Sequence, residues 1–230
     1  RSMITVANAN IETPIELTPE NPVVLVEENP SEFYRAVSSL INAFSDEESG
    51  FTFWKGDEQI SPSKHGEILT NIFGFDFADK KIINLLYKRL QSNFLEGSFQ
   101  ADFNLINAKI CNFLSDLCST VDFSLDFDEL TIENLLKTCS VKPSAVYNSL
   151  LEKIICFINI FTSLKNISFF VFVDIKSVLS DDELQKLYKH CALHKIALFL
   201  IESSKKRSFL AEEKAIIITD DLCEIVENFS

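Results

Sequence analysis

The sequence predicts an α/β protein, and three observations carry the prediction. Short apolar runs rich in β-branched and aromatic residues (VVLV at 23–26, FFVFV at 169–173, IALFLI at 196–201) have the continuous character of strands buried on both faces of a mainly parallel sheet. Between about residues 71 and 165 the apolar residues recur with a helical period instead. Only five of the 230 residues are glycine and six proline, against 47% apolar, a balance that disfavours a turn-rich β-sandwich or a disordered chain. A chain this long can bury a substantial core without disulfides or metal.

Taken in order, Ile11 to Leu17 alternates enough for a strand, and Val23 to Val26 reads as a buried one. Ser31 can cap a helix carrying Phe33, Val37, Leu40, Ile41 and Phe44 on one face; FTFW at 51–54 is a further strand, and Ser61-Pro62 a helix start. Three helical patterns follow. Asp79 precedes Ile82, Ile83, Leu85, Leu86 and Leu90; the second pattern holds Phe103, Ile106, Ile110, Phe113, Leu114 and Leu117; the third runs from Pro143 through Val146, Leu150, Ile154, Phe157, Ile158 and Phe161. After Lys165 come a strand at 167–173, a helix at 181–194 opened by a Ser180/Glu183 capping box, a strand at 196–201, and AIII at 215–218 and CEIV at 223–226. Continuously apolar strands separated by one helix imply right-handed crossovers in a parallel sheet. Both chain ends are therefore expected to share one α/β domain, residues 3–70 and 166–230, with 71–165 a helical insertion. No internal repeat is present.

The net charge is −13, from 34 acids and 21 bases, which argues against a broadly basic nucleic-acid surface. Exposed charges beyond about 8 Å are largely screened at physiological salt, so what matters is where bases cluster. Lys80, Lys81, Lys88 and Arg89 fall along one helix, Lys137 and Lys142 flank a short one, and Lys205, Lys206 and Arg207 share a late loop. Each group also reads as an ordinary solvated face. They are too few for one subunit to grip a duplex, so nucleic-acid binding would need several subunits facing one axis. The six cysteines, Cys111, Cys118, Cys139, Cys156, Cys191 and Cys223, form no CxxC pair and read as reduced core residues. RSMITVANANIETPIEL has no apolar stretch of signal-peptide length, and no segment reaches the roughly 20 residues of a membrane span, so a cytoplasmic protein without a membrane partner is expected. Arg1 and Ser2, before Met3, read as a foreign remnant.

Asp174 follows FFVFV where an ATPase would present a magnesium-holding carboxylate. A phosphate loop, however, needs glycines so that backbone N–H groups can approach the phosphates, and none of Gly50, Gly56, Gly66, Gly74 and Gly97 falls in a GxxxxGK[ST] pattern. The loop after VVLV reads EENPSEF, and Glu27 and Glu28 would repel a polyphosphate. Nucleotide hydrolysis is thus disfavoured, and Asp174 reads as a loop residue. His190 and His194 have the spacing of half a zinc site but lack the Glu of HExxH, and GxSxG and Cys-His signatures are missing. The stretch VDFSLDFDELTIEN, 121–134, gathers Asp122, Asp126, Asp128, Glu129 and Glu133 at a joint between helices. Flexible, oxygen-rich clusters suit calcium better than zinc, although the glycine and DxDxDG order of an EF-hand are missing. The same stretch also reads as a solvated acidic loop with Thr131 capping the next helix.

LTIENLLKTCSVKP with the helix after it, the run from FFVFVDIKS to IALFLIE, ILTNIFGFDF at 68–77 and the closing IITDDLCEI together resemble the small accessory protein family of type II-A CRISPR systems, needed to acquire new spacers, in its short form. The resemblance implies a P-loop-ATPase-like head lacking the phosphate loop, with an inserted all-helical leg. It further implies a non-catalytic homotetrameric ring that threads double-stranded DNA ends through a basic hole, holds calcium near the leg, and works beside the CRISPR integrase complex and the RNA-guided effector nuclease in immunity against foreign DNA. On matching positions Asp126, Asp128 and Glu129, with Asp122 close by, become the calcium candidates, while Ser124 stands where another acid is expected. Lys137 and Lys142 fall at basic positions and become the leading DNA-facing residues; Lys64, Lys88 and Arg89 join them on charge clustering. Two other readings fit the charge: an acidic scaffold that docks basic proteins without touching DNA, and a metal-dependent nuclease using the same carboxylates to hold magnesium.

Overall fold

A computed structural model describes residues 3–144, 146–205 and 208–228. They form two compact units, one of residues 3–75 with 146–228 and one of 76–144. In the first unit the elements run β1 (Ile4–Asn8), β2 (Ile11–Leu17), β3 (Val23–Glu27), α1 (Pro30–Phe44), β4 (Phe51–Lys55), β5 (Glu58–Ile60), α2 (Pro62–His65) and β6 (Gly66–Leu69). The second unit contributes α3 (Lys80–Glu96), α4 (Gln100–Cys118) and α5 (Ile132–Thr138). The chain then returns to the first unit with α6 (Leu150–Leu164), β7 (Phe169–Val173), a 3-10 turn at Ile175–Ser177, α7 (Asp181–Leu193), β8 (Ala197–Glu202), β9 (Lys214–Ile218) and β10 (Glu224–Asn228).

The continuous apolar runs build the predicted sheet. Its order is β10-β9-β3-β8-β7-β6, all parallel except β10, which pairs antiparallel with β9. Successive side chains of a strand point to opposite faces, and each face has its own cover. Leu25, Phe169, Val171, Phe199, Ile201 and Ile216 pack with Leu40 of α1 and with Val6, Ile15 and Phe53 of a second, antiparallel sheet ordered β2-β1-β4-β5. On the other face Phe170 meets Phe157 of α6, ring centroids 5.9 Å apart. There α6 buries Ile154, Phe157, Ile158 and Phe161, and α7 buries Leu184, Leu187, Tyr188 and Cys191. Gly66 is required where β6 passes β7: a Cβ there would lie 2.5 Å from the Phe169 ring.

Some sequence expectations shift. The helical stretch was expected to extend over 71–165, yet α6 belongs to the first unit, because its apolar stripe is spent on the sheet. That helix starts at Leu150 and not at Pro143: Ser149 accepts from the Glu152 N–H, while Glu152 accepts from the Asn148 N–H, a reciprocal cap that sets the first turn. The strands β1, β5 and β6 escaped the sequence reading. Of the six cysteines, expected in the core, only Cys191 is fully buried, its thiol pushed up to about 12 by desolvation, and Cys139 and Cys223 are exposed. Lys206 and Arg207 lie outside the described residues.

Polar groups at the sheet margins are matched with care. The carboxylate of Glu224 on β10 accepts from the Glu12 and Thr13 N–H groups of β2, at 2.6 and 3.0 Å. After β7, Lys176 is buried, and its Nζ donates to both carboxylate oxygens of buried Glu213 at 2.5 and 2.6 Å. Tyr188 donates its hydroxyl to the same carboxylate at 2.6 Å, and the Lys176 N–H donates to buried Glu202 at 3.0 Å. Burial first, then the Glu213 charge, drives the Tyr188 phenol well above its ordinary range.

A buried pair of this kind is costly to break, because the surviving charge stays desolvated. We expect Lys176→Ala to lower the urea-unfolding free energy by about 3–5 kcal/mol, and Lys176→Met combined with Glu213→Gln to recover part of that loss. Equal losses in both variants would show that packing, not the stranded charge, dominates.

Candidate functional site

Three places gather the polar chemistry. The first lies at the carboxyl ends of the central strands, where open α/β sheets take their ligands. Asp174, in the left-handed region at φ 54°, accepts at Oδ1 from the Ser203 N–H (3.0 Å) and the Ser203 hydroxyl (2.9 Å), so its carboxylate ties the end of β7 to the end of β8. At the end of β3, Glu27 is only 6% exposed. It lines a cavity of about 530 Å3 with Asn8, Glu32, Arg35, Ser39 and Ile218. Among the described residues Glu27 Oε2 has no hydrogen-bond partner. Burial, and secondarily the neighbouring Glu32, push the Glu27 carboxyl up to about 7. Glu32 itself holds Arg35 at 2.6 Å. The N-terminus of α1, which in such folds offers its N–H groups to phosphate, is already capped: Asn29 Oδ1 accepts from the Ser31 and Glu32 N–H groups. The arrangement repels anions.

The second place is in the 76–144 unit. Helix α3 carries Lys80, Lys81, Lys88 and Arg89 against a single acid, Glu96. The Tyr87 hydroxyl donates to the Leu136 carbonyl at 3.1 Å and holds α3 against α5. Lys88, Arg89 and Lys142 are exposed, and among the described residues no carboxylate pairs with them. Lys137 differs: its Nζ holds Glu133 at 2.6 Å, and that hydrogen bond and charge pull the Glu133 carboxyl below its ordinary value. Both partners are exposed, so solvent screens the pair and Lys137 can exchange Glu133 for another anion. Lys64 is exposed on α2, in the first unit. Helix α4 has no buried residue, and leaves Leu105, Ile106, Phe113 (64% exposed) and Leu117 uncovered.

The third place is the stretch between α4 and α5. Asp122, Asp126, Asp128 and Glu129 are all exposed there, on backbone without regular structure, and Leu130 N–H donates to Asn107 of α4. Their donor set is chemically right for calcium, yet among the described residues no three acidic, histidine or cysteine side chains converge to hold a metal ion. Among the described residues these oxygens stand apart. The His190/His194 pair is structural: His190 Nε2 shares a hydrogen bond with Asn159 of α6 at 3.0 Å. Thr131 caps α5, accepting from the Asn134 N–H.

Sequence reasoning named Glu27 as an obstacle to phosphate but missed the cavity, because Asn8, Arg35 and Ile218 reach it from three separate elements. The one available signal was an acid closing a fully apolar strand. Glu27 also carries a pH prediction. Its carboxyl is raised from an ordinary 4.5 to about 7, so the stability it contributes is fully present below about 4.5 and is lost as pH rises through about 7. Glu27→Gln should therefore melt about 2–4 °C above the parent at pH 8, roughly 1 kcal/mol for a chain of this size, with the gap closing at pH 5. A gap independent of pH would refute the burial of this carboxyl.

A family model described as CRISPR-associated protein (Cas_Csn2) matches residues 43–222. Among curated proteins, the CRISPR-associated protein Csn2 of Streptococcus agalactiae is 28% identical over 135 residues, 58% of this chain and 61% of that one. The chain thus spans about three-fifths of that relative's length. Among solved structures, a bacterial Atm1-family ABC exporter with ATP bound superimposes with a TM-score of 0.45 at 15% identity, over 96% of this chain and 38% of the exporter. Among the described residues, no helix is long and apolar enough to cross a membrane. With the family model spanning most of its length, the chain belongs to the Cas_Csn2 family of CRISPR-associated proteins.

Proposed function

We propose that this protein is a non-catalytic, ring-forming clamp that binds double-stranded DNA ends during CRISPR spacer acquisition, beside the integrase complex and the RNA-guided effector nuclease. In this reading the α/β unit is a P-loop-ATPase-like head without phosphate chemistry, and the helical unit is its inserted leg. The observation that carries it is the charge on that unit: Lys88, Arg89 and Lys142, exposed and without a carboxylate partner among the described residues, stand out in a chain whose net charge is −13. The uncovered apolar face of α4 supports self-association on the same unit, since exposed apolar patches mark interfaces. Copies related by one axis would turn these bases toward a shared duplex while the outer surface stays acidic. Lys137 would join by exchanging Glu133 for a phosphate, and Lys64 is proposed as a further contact from the first unit. The non-catalytic reading is supported by Asp174 being engaged by Ser203 and by Glu27 standing at the end of β3.

Contacts to phosphates predict affinity that falls steeply with salt and hardly varies with sequence. Linear duplex should bind, and closed circular DNA of the same length should bind far more weakly. Lys88→Glu with Arg89→Glu should flatten the slope of log K against log salt by about 1 for each phosphate contact removed. Circles bound as tightly as linear DNA would overturn threading, and an unchanged slope would overturn these residues as contacts. A chain that binds no duplex but captures basic proteins would return the acidic-scaffold reading; cleaved strands would return the nuclease.

Assembly is tested by native mass. Phe113→Ser should shift the protein from a multiple of the 26.1 kDa chain towards the monomer. Calcium enters the proposal only as an ion that would draw Asp122, Asp126, Asp128 and Glu129 together, and a mass that is the same in EGTA and in calcium removes it.

A further inference from the structure

The cavity at the end of β3 has a polarity opposite to that of a phosphate site. Strand β3 sits where the sheet's connections change side: the chain leaves it for β6 at one edge, walks back through β7 and β8, and crosses it to lay down β9. Glu27 ends β3 and Ile218 ends β9, and both line the cavity, so the crevice lies at the switch point where such sheets bind ligands. Its volume of about 530 Å3 is that of a small-molecule site. Glu27 Oε2, buried and without a partner among the described residues, is an acceptor that no protein donor satisfies there. Such a group needs a donor, and an ionised one needs a cation.

The lining narrows the class of cation. A divalent metal requires several oxygens in one shell, and Glu32 is engaged by Arg35, leaving Glu27 as the one carboxylate in the lining without a charged partner. An ammonium needs less: its three donors can be met by one carboxylate oxygen and by neutral acceptors in the lining, where Asn8 Oδ1 accepts from the Asn10 N–H and Ser39 Oγ from the Gly50 N–H and each oxygen has a second lone pair. Ala36, Phe51, Ile218 and Leu222 provide apolar wall for an alkyl stem. We propose that this cavity is a binding site for a primary alkylammonium, either a free amine or a lysine side chain, with Glu27 as its counter-ion.

The charged groups on the elements around Glu27 are Glu28 next to it and Glu32 and Arg35 on α1; the linings from β1, β4 and β9 carry no charge. With its carboxyl raised to about 7, Glu27 is mostly protonated at pH 6 and must release that proton to pair with the cation.

The experiment is calorimetric titration of the full chain with n-pentylammonium, with Nα-acetyl-lysine N-methylamide and with uncharged 1-pentanol, at pH 6 and pH 8. Both ammonium probes should saturate at one site per chain. The tighter of the two identifies the source, and 1-pentanol should not bind. Affinity should fall about tenfold from pH 8 to pH 6 as Glu27 protonates, and Glu27→Gln, which keeps the shape, should lose at least about tenfold at pH 8, the scale of a charge-assisted hydrogen bond. Pentanol binding as well as the amine, or affinity unchanged both with pH and in Glu27→Gln, overturns the proposal. So does a lack of saturation by either ammonium at millimolar concentration. The parent chain measured across pH keeps the test decisive if the variant fails to fold.

Discussion

The first unit is organised by one constraint: strands at its centre are flanked by carboxylates that the fold itself buries or half-buries. Glu27 closes β3, Asp174 follows β7, Glu202 closes β8, and Glu213 precedes β9. Leaving water costs a carboxylate several kcal/mol unless partners replace its hydration. Three of the four are answered locally, Asp174 by Ser203, Glu202 by the Lys176 backbone, and Glu213 by Lys176 and Tyr188 together. Glu27 has no such answer among the described residues, and its burial raises its carboxyl to about 7. That difference separates scaffold from site, since a satisfied acid rigidifies the strand ends and an unsatisfied one retains something to offer.

Much of this was legible in the sequence because the strands are apolar on every residue. A strand buried on both faces leaves no alternation to misread, so VVLV, FFVFV and IALFLI announced themselves and fixed the parallel sheet. Two caps were legible for the same local reason, Thr131 and the Ser180/Glu183 pair, whereas the cap expected at Ser31 lies two residues earlier: Asn29 caps α1, and Pro30, whose fixed φ suits the first helical position, opens it. The rest depended on tertiary choices. Helical period cannot say which surface a stripe covers, so α6 was grouped with α3 and α4 although its phenylalanines pack on the sheet. Charge patterning counted Lys137 as a free base, whereas a glutamate one turn earlier on the same helix holds it. The acidic stretch at 121–134 was legible as a composition and not as a geometry, because convergence of carboxylates is a property of the backbone path.

The charge distribution leaves a local exception in an acidic chain. Formal net charge governs solubility and long-range behaviour, while recognition at contact distance depends on a few groups within a Debye length. Helix α3, with four bases to one acid, is such a local exception.

Glu224 on β10 seals an edge of the second sheet. Strand β2 forms a margin of the antiparallel sheet, and its N–H groups at residues 12 and 13 would otherwise face outward as a template for a foreign strand. The β10 carboxylate plugs them. Any oligomer of this protein is thereby steered away from sheet continuation at that margin and toward side-chain packing, which can be reversed without unzipping a ladder.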